Sequence, residues 1–296
     1  MKVLAFGEIL WDIINGEEFL GGAPFNFAAH CARCGNEAYI ISRVGDDRLG
    51  RKALNLSHTH GVDSQFIQID RNHPTGVVDV VLTNGQPDYL IRRDVAYDHI
   101  EAAGIIGLDE VAFDVLYYGS LAQRSAMSAS ALGWVIRNHT FPTVFYDVNI
   151  RKAIDHERIL KRSLSWCNII KMNTEEVPAV GAVLGIQDFS LENACFKLMN
   201  THPNIDVVLV TAGEKGCFVA YDGSLHYVPG IPVVVEDAIG AGDAFSAAFM
   251  NEYFRTKDPL MAANVANRVG AFVASRRGPI PKYTDDIIRL CSASRG

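Results

Sequence analysis

The chain has 296 residues, 49% of them hydrophobic, which is enough apolar material to bury the core of one large domain or two small ones. Its formal net charge of −7, from 27 basic and 34 acidic residues, argues against a general nucleic-acid-binding surface. No apolar run reaches the ~18 residues of a membrane span, and the opening "MKVLAFGEILWD" acquires a carboxylate too early for a signal peptide. We therefore expect a soluble, cytoplasmic protein with reduced cysteines.

Short β-rich runs alternate with helical patterns along most of the chain, which is typical of a parallel sheet with helices on both faces. In chain order, the predicted strand and helix pairs are "KVLAFG" with "PFNFAAHCARC", "AYIISRVG" with "DRLGRKALNLSHTHG", "VLYYGS" with "SAMSASALGWVIRNH", "TVFYDV" with "HERILKRSLSWC", and "NIIKMN" with "TEEVPAV". A further helix at "LENACFKLMN" precedes the strand "VVLVTAG". The predicted fold class is α/β, with a mostly parallel central sheet.

One region, from about residue 65 to residue 93, contains strand patterns only. Its runs are "SQFIQID", "TGVVDVVLT" and "DYLIRR", separated by turn signals at "RNHP" and "NGQP". We expect a small antiparallel sheet that also includes "WDIINGEEFLGG", so that residues 12–22 and 65–99 form a lid inserted in a single domain of residues 1–296. The alternative is an extra hairpin at the edge of the main sheet.

The heptapeptide "DAIGAGD" lies between the β-branched run "VVV", which predicts a strand, and the helix-like "AFSAAFMNEYF". Its small residues let the amides of Gly240, Ala241 and Gly242 converge at a helix N-terminus, which favours an anion. A carboxylate in this turn would repel a phosphate, so Asp243 suits a base that takes the proton of an attacking hydroxyl. Alternatively, Asp237 caps the helix and Asp243 lies in its first turn for structural reasons.

Other phosphate-binding motifs do not fit the sequence. A Walker P-loop, G-x-x-x-x-G-K-[ST], does not occur in the chain. The third glycine of a Rossmann fingerprint is replaced by Phe245, and the turn comes late in the chain instead of in its first βα unit. Protein-kinase signatures are also missing from the sequence.

With the early segment "GGAPFNFAAHCARCG" included, the sequence resembles the ribokinase-like (PfkB) sugar kinases, and among them most closely the bacterial fructokinases. The similarity runs from end to end, through "FGEILWD", "SRVGDDRLG", "YYGSLAQRS", "YDVNIRK", "KMNTEE", "VTAGEKG" and "DAIGAGDAF". The early family positions are Gly21, Gly22, Asn26, Gly35 and Gly45. The resemblance implies the ribokinase-like fold and transfer of the ATP γ-phosphate to a sugar hydroxymethyl group, with fructose as the expected acceptor.

The resemblance also implies the roles of individual residues. Asp243 corresponds to the catalytic base, and the anion hole corresponds to Gly240, Ala241 and Gly242. The sugar-contacting positions match Asp12, Gly22 and Asn26, and Arg151 is a candidate contact to the phosphate or the lid. The nucleotide and magnesium region matches Asn173, Glu176, Thr211, Gly213, Gly216, Gly242 and Asn267. ATP and Mg²⁺ are the implied cosubstrate and cofactor.

In relatives, a monovalent cation such as potassium lies beside the anion hole, held largely by main-chain carbonyls. The matching positions here are Asp237, Ile239, Val273, Arg276 and Gly278. One residue departs from the family pattern, because Ala238 replaces the usual threonine or serine and so removes a hydroxyl that would help to hold the turn. The resemblance further implies a homodimer through the lid, where Val78, Val80 and Leu82 would supply an apolar face.

Several alternatives remain open at this point. The acceptor could instead be ribose, another ketose, a nucleoside or a keto-deoxy sugar acid, and a protein of another class would be a sugar-binding regulator without catalytic activity. The pair Cys31 and Cys34 has redox or zinc spacing but no second pair, so we interpret both as packed thiols. The pair His58 and His60 is interpreted as solvated. The basic pair at residues 92–93 suits an exposed strand end.

Overall fold

A computed structural model describes residues 1–14, 16–83, 86–151, 154–186 and 190–292. Its strands are β1 Lys2–Phe6, β2 Leu10–Ile14, β3 Glu17–Gly21, β4 Glu37–Gly45, β5 Val62–Asp63, β6 Ile67–Asp70, β7 Gly76–Thr83, β8 Gln86–Ile91, β9 Val115–Gly119, β10 Thr143–Asp147, β11 Ile169–Asn173, β12 Val207–Thr211, β13 Gly216–Tyr221 and β14 Ser224–Pro229. Its α-helices are α1 Ala23–Arg33, α2 Arg48–Thr59, α3 Ala126–Asn138, α4 His156–Leu164, α5 Val177–Val183, α6 Leu191–Thr201, α7 Ala241–Thr256, α8 Pro259–Ala274 and α9 Asp285–Ser292.

The main sheet has the strand order β14-β13-β12-β11-β10-β9-β1-β4-β5, and β6 pairs with the far half of β4. The pairs from β12 through β1 to β5 are parallel, whereas β13 and β14 form an antiparallel hairpin at one edge. Because successive strand residues point to opposite faces, Val3 and Ala5 pack into one core and Leu4 and Phe6 into the other. The predicted mostly parallel α/β architecture is confirmed.

Helices cover both faces of this sheet. Helices α1, α7 and α8 pack with Val3 and Ala5, and helices α3 to α6 pack on the opposite face. Asp258 caps the N-terminus of helix α8, because its carboxylate accepts from the amides of Leu260 and Met261 and so satisfies two donors of the first turn. Within the described residues, no helix has both the length and the apolar character needed to cross a membrane.

A second, smaller sheet has the order β3-β2-β7-β8, with β2 and β7 parallel and the outer pairs antiparallel. The prediction that the strand near residue 65 belongs to this sheet is wrong. Strand β6 instead pairs with residues 42–45 of β4, because its backbone continues the parallel main sheet beyond the short β5. At the end of β8, Arg92 forms an ion pair with Asp79 at 2.7 Å, as expected for an exposed strand end.

The strand predicted from the run "VVV" does not form. Residues 231–236 have no strand structure, and Val234 is 90% exposed. The amides of Glu236 and Asp237 donate to the carbonyl of Ala274 at the end of α8, so the main chain follows the helix end. Because β-branched residues form a strand only where a partner is available, this segment reaches α7 as an exposed connection without strand structure.

Candidate active site

The early and late sequence motifs meet at the N-terminus of α7. Asn26 on α1 donates from Nδ2 to Oδ2 of Asp243 at 2.8 Å, although the two residues are 217 positions apart. Asp147 is the last residue of β10, at the carboxyl end of a central parallel strand, and Lys171 lies in the neighbouring strand β11. This edge of an open α/β sheet is where such folds bind their ligands.

The turn before α7 has the backbone geometry of an anion cradle. Gly240 has φ 77° and begins the helix, and a Cβ atom on this residue would lie 2.5 Å from the carbonyl oxygen of Pro279, so glycine is required. The amides of Gly240 and Gly242 have no acceptor among the described residues, whereas Ala241 donates at 3.3 Å to the carbonyl of Ala238. Two of the three predicted donors are therefore unpaired at a helix N-terminus, where an anion is favoured.

Asp243 has the proton affinity of a general base. Burial, together with the smaller effect of the charge of Asp147, raises its pKa to about 7, although the hydrogen bond from Asn26 and the charges of Lys171 and Arg151 act to lower it. A carboxyl with a normal pKa would be a much weaker base at neutral pH. The structure thus gives this first-turn aspartate a property that helix capping does not need.

A buried network lies directly behind Asp243. Oδ2 of Asp147 accepts from Tyr117 Oη at 2.9 Å, Lys171 Nζ at 2.8 Å and Ser246 Oγ at 3.2 Å. Burial alone would lower the pKa of Lys171, but the charges of Asp147, Asp243 and a nearby glutamate raise it overall, so the ammonium group stays charged. Sequence analysis missed this pair, although a charged residue in each of the apolar strands "TVFYDV" and "NIIKMN" was an available signal.

Asp12, Asn26 and Gly22 lie together, as the sequence analysis expected. A Cβ atom on the intervening Gly21 would approach Asp12 Oδ2 to 2.9 Å and Asn26 Oδ1 to 3.8 Å, so both side chains border this glycine. Gly22 has φ 107°, and a Cβ atom there would lie 2.4 Å from the carbonyl oxygen of Glu8. The chain therefore passes close to Glu8, in the segment after β1, only because residue 22 lacks a side chain.

Glu8 is a buried site residue that the sequence analysis did not select. Burial raises its pKa to about 7, and burial also raises the pKa of Asp12 to about 6. The charge of Arg151 lowers the pKa values of Glu8, Asp12 and Asp243, so this charge lies within electrostatic reach of all three carboxyls. Glu8 Oε2 and Asn26 Oδ1 are buried without a hydrogen-bond partner among the described residues, which suits contacts to the hydroxyls of a ligand.

Asn173 and Glu176 form a hydrogen-bonded element at the end of β11. Glu176 accepts from the amide of Asn173 at 2.8 Å and from the amide of Ile150 at 2.6 Å, so it joins this strand to the loop after β10. Asn173 Oδ1 accepts from the amides of Glu175 and Glu176, and the residue is exposed. Burial raises the pKa of Glu176. The role of this element toward magnesium stays a prediction.

The residues predicted to bind the nucleotide differ in their surroundings. Gly213 is exposed, with φ 58° and nothing within 4 Å of its Cβ position, and Thr211 is half-buried at the end of β12. Gly216, in contrast, is buried, and a Cβ atom there would lie 2.2 Å from the carbonyl oxygen of Val228. Asn267 is buried and donates to the carbonyls of Val228 and Pro229. Gly216 and Asn267 thus shape the β13–β14 hairpin.

The positions predicted for a monovalent cation come together beside the turn. Asp237 accepts from the amide of Ile239 at 2.9 Å and from the amide of Gly278 at 3.2 Å, so its carboxylate ties the turn to the loop after α8. In that loop, the carbonyl of Val273 accepts from the amide of Arg276. The two hydrogen bonds that Asp237 accepts hold the turn where Ala238 lacks a hydroxyl.

The pairs Cys31/Cys34 and His58/His60 have the spacing of metal ligands, but their surroundings in the structure are different. Cys34 lies 3.0 Å from Cys291 on α9, sulfur to sulfur, and Cys31 is buried as a free thiol. His58 is exposed, and His60 lies 3.4 Å from the guanidinium of Arg33. Neither pair belongs to a group of metal-ligating side chains among the described residues.

A large, mostly parallel sheet between helices, with a small separate sheet at its side, is the ribokinase-like fold. A family model described as pfkB family carbohydrate kinase matches residues 5–286. The chain belongs to this family, whose members are sugar phosphotransferases. The family resemblance and the enzyme class expected from the sequence are confirmed.

Similar proteins include several fructokinases. A probable fructokinase-2 from Arabidopsis thaliana is 28% identical over 96% of this chain and 93% of its own. A crystal structure of a fructokinase from Vibrio cholerae O395 with fructose, ADP and calcium is 25% identical, covers 94% of both chains and has a TM-score of 0.81. An uncharacterized sugar kinase from Pyrococcus horikoshii is 25% identical over 99% of both chains, with a TM-score of 0.81. These similarities establish a carbohydrate kinase without specifying its sugar.

Proposed function

We propose that this chain is an ATP-dependent fructokinase that forms fructose 6-phosphate. The observation that carries the proposal is the position of Asp243, which has a pKa of about 7, accepts from Asn26 and lies at the helix N-terminus that begins at Gly240. The similarity to fructokinases supports fructose as the acceptor. Asp12, Asn26 and Glu8 supply the hydrogen-bonding groups that a polyhydroxylated substrate requires.

In this mechanism, Asp243 removes the proton of the sugar hydroxymethyl group as its oxygen attacks the γ-phosphate of ATP. The unpaired amides of Gly240 and Gly242 stabilise the negative charge on the transferring phosphoryl group. Lys171, held by Asp147, adds a fixed positive charge behind the turn. Arg151 lies within electrostatic reach of the carboxyls and would add a positive charge for the phosphate.

The residues present also fit the cations of the family. Magnesium neutralises phosphate charge when bound, and the exposed Asn173 and the carboxylate of Glu176 would hold it through water, since the glutamate oxygens already accept from two amides. The loop that Asp237 ties to Gly278 would hold a monovalent cation through main-chain carbonyls. Thr211 and Gly213 would border the nucleotide.

The pH dependence of the reaction tests the base. Because Asp243 must be ionised to accept a proton and its pKa is raised to about 7, kcat/KM is expected to rise by about tenfold per pH unit below pH 7 and to level off above it. A steady-state pH profile measures this rise. The same rise should persist in Glu8→Gln, whose own titrating carboxyl is removed. A wild-type profile that is flat through neutral pH would contradict the assignment.

The acceptor is tested by measuring ADP formation with a panel of compounds. The panel contains fructose, ribose, another ketose, a nucleoside and a keto-deoxy sugar acid, each compared with ATP alone. The proposal is supported if fructose gives the highest kcat/KM. If another acceptor gives a higher kcat/KM, that compound replaces fructose as the assigned substrate, and the assignment as a kinase is unchanged. Failure of every compound to raise ADP formation would instead support a sugar-binding regulator.

We also propose a homodimer through the small sheet. Strand β8 is an edge strand, and its Leu90 is 61% exposed, which suits a contact between two copies. Val78, which was expected on an exposed face, is 4% exposed and therefore buried within the chain, and the side chains of Val80 and Leu82 lie outside the described part.

Sedimentation velocity tests this assembly. The wild-type protein is expected to sediment as a dimer, and Leu90→Lys is expected to shift it toward monomer, because a charge on the shared edge would have to be buried. Met261→Lys is the control, since Met261 is 49% exposed on α8, a helix that packs against α7, α9 and the β13–β14 hairpin. A wild-type protein that sediments only as a monomer would end the dimer proposal.

A further inference from the structure

Two chain segments connect the small sheet to the main sheet on the side of β4 and β6. The outgoing segment runs from Asp70, the last residue of β6, to Gly76, the first residue of β7, and it carries His73. The returning segment follows β8 and carries Asp94 and His99, the latter at the end of a short 3-10 turn, Ala96–His99. Both segments must move if the small sheet moves relative to the main domain.

The three side chains converge where these segments meet. Asp94 Oδ1 lies 2.9 Å from His99 Nε2 and 3.7 Å from His73 Nε2. The two imidazole rings are stacked, with centroids 3.5 Å apart and an interplanar angle of 13°. One nitrogen of each histidine and one carboxylate oxygen lie within 4.8 Å of one another. The cluster is separate from the proposed catalytic residues.

The hydrogen bonds around His73 orient it as a metal ligand. Asp70 Oδ2 lies 3.1 Å from His73 Nδ1, and Asp70 is itself held by the guanidinium of Arg43 at 2.8 Å and by the amides of Asn72 and His73. A neutral His73 therefore carries its proton on Nδ1 and its lone pair on Nε2. That lone pair lies 3.7 Å from a carboxylate oxygen of Asp94, so a metal ion placed between these two atoms would be bound by both of them.

We propose that His73, Asp94 and His99 bind a divalent first-row transition metal ion such as Zn²⁺. Two imidazoles and one carboxylate form a typical zinc donor set, whereas Mg²⁺ prefers oxygen ligands alone. The carboxylate of Asp70 behind His73 is the outer partner that metal-bound histidines usually have. Bonds of about 2.0–2.2 Å require the donor atoms to draw together and one of the two stacked rings to turn, and the side chain of Asp94, which is 79% exposed, has room to move.

The position of the site gives binding a structural consequence. An ion held by His73 on the outgoing segment and by Asp94 and His99 on the returning segment links two of the four chain connections of the small sheet. Such a link restrains movement of this sheet and stabilises the folded chain by mass action, because the unfolded chain does not hold the three ligands together. The inference concerns residues outside the proposed catalytic mechanism and does not depend on which sugar is phosphorylated.

Direct metal binding tests the site. Chelator-treated wild-type protein is titrated with Zn²⁺ by calorimetry and with Co²⁺ by visible absorption, and binding of about one equivalent is expected, with an increase in Tm. His99→Gln and His73→Gln are expected to weaken binding by about tenfold or more. Asp94→Asn is expected to do the same while it preserves the backbone, because asparagine tolerates the left-handed conformation of this residue, φ 57°.

His58→Gln is the matched control, since His58 is an exposed histidine that lies outside the cluster. This variant is expected to bind Zn²⁺ like the wild-type protein. Circular dichroism and the metal-free Tm of each variant report whether it is folded. Lack of Zn²⁺ and Co²⁺ binding by the wild-type protein would overturn the proposal. Equal binding by a folded His73→Gln/His99→Gln double variant would do so as well.

Discussion

Asp243→Asn is expected to lower kcat by about 10²–10⁴-fold while ATP still binds, because the variant keeps the amide cradle and loses the base. The decrease in kcat should not result from unfolding of the variant. The pKa of Asp243 is raised when the chain folds, so its ionised form destabilises the folded state above the normal carboxyl pKa, and a neutral asparagine removes this cost. We therefore expect the variant to be at least as stable as wild-type protein at about pH 8.

Steady-state kinetics and nucleotide titration measure the two effects separately. Asp285→Asn is the matched control, because Asp285 is also an aspartate in the first turn of a helix, α9, but is exposed and lies outside the site. The control is expected to keep wild-type turnover. Undiminished turnover in Asp243→Asn would show that this carboxylate is structural, and the proposed mechanism would have to be abandoned.

Lys171→Met is expected to destabilise the chain by about 3–5 kcal/mol, because it leaves the buried charge of Asp147 without its ammonium partner. The hydroxyls of Tyr117 and Ser246 still donate to that carboxylate, but they carry no charge. Loss of the lysine should also raise the pKa of Asp243, because Lys171 lowers that pKa in the wild-type protein. The rise of activity with pH in any folded fraction should therefore move to higher pH.

Denaturant unfolding measures the loss of stability. In the double variant Asp147→Asn/Lys171→Met both charges are gone, and most of the lost free energy of unfolding should return. Lys161→Met is the control, because the Lys161–Glu157 ion pair is exposed on α4, and it should change stability by less than about 1 kcal/mol. Equal effects of Lys171→Met and Lys161→Met would mean that the buried pair adds nothing to the stability of the site.

The alternation of strands and helices could be predicted because it depends on local patterns. Apolar runs such as "KVLAFG" and helical patterns such as "PFNFAAHCARC" are sufficient to predict β1 and α1, and the alternation itself selects a parallel sheet. The run "VVV" was misleading because its β-branched residues find no strand partner. Strand β6 was assigned to the wrong sheet because pairing with β4 is decided by residues about 25 positions away.

The candidate site could be predicted only where a motif repeats a family pattern. The motifs around Asn26 and Asp243 indicated a shared site, and the contact between these residues brings the two motifs together. Glu8, Asp147 and Lys171 were missed, because each is a single charged residue in or beside an apolar strand. Their importance follows from burial and from their neighbours, which a sequence pattern does not contain.

By itself, the sequence determined the α/β architecture, the glycine turn before α7 and the membership of a sugar kinase family, because these depend on residue order within short segments. The tertiary structure alone decided that Lys171 pairs with Asp147, that Gly216 and Asn267 shape a hairpin, and that His73, Asp94 and His99 meet. The physical reason is that burial and charge pairing depend on distances in space, and the folded backbone sets those distances between residues far apart in the chain.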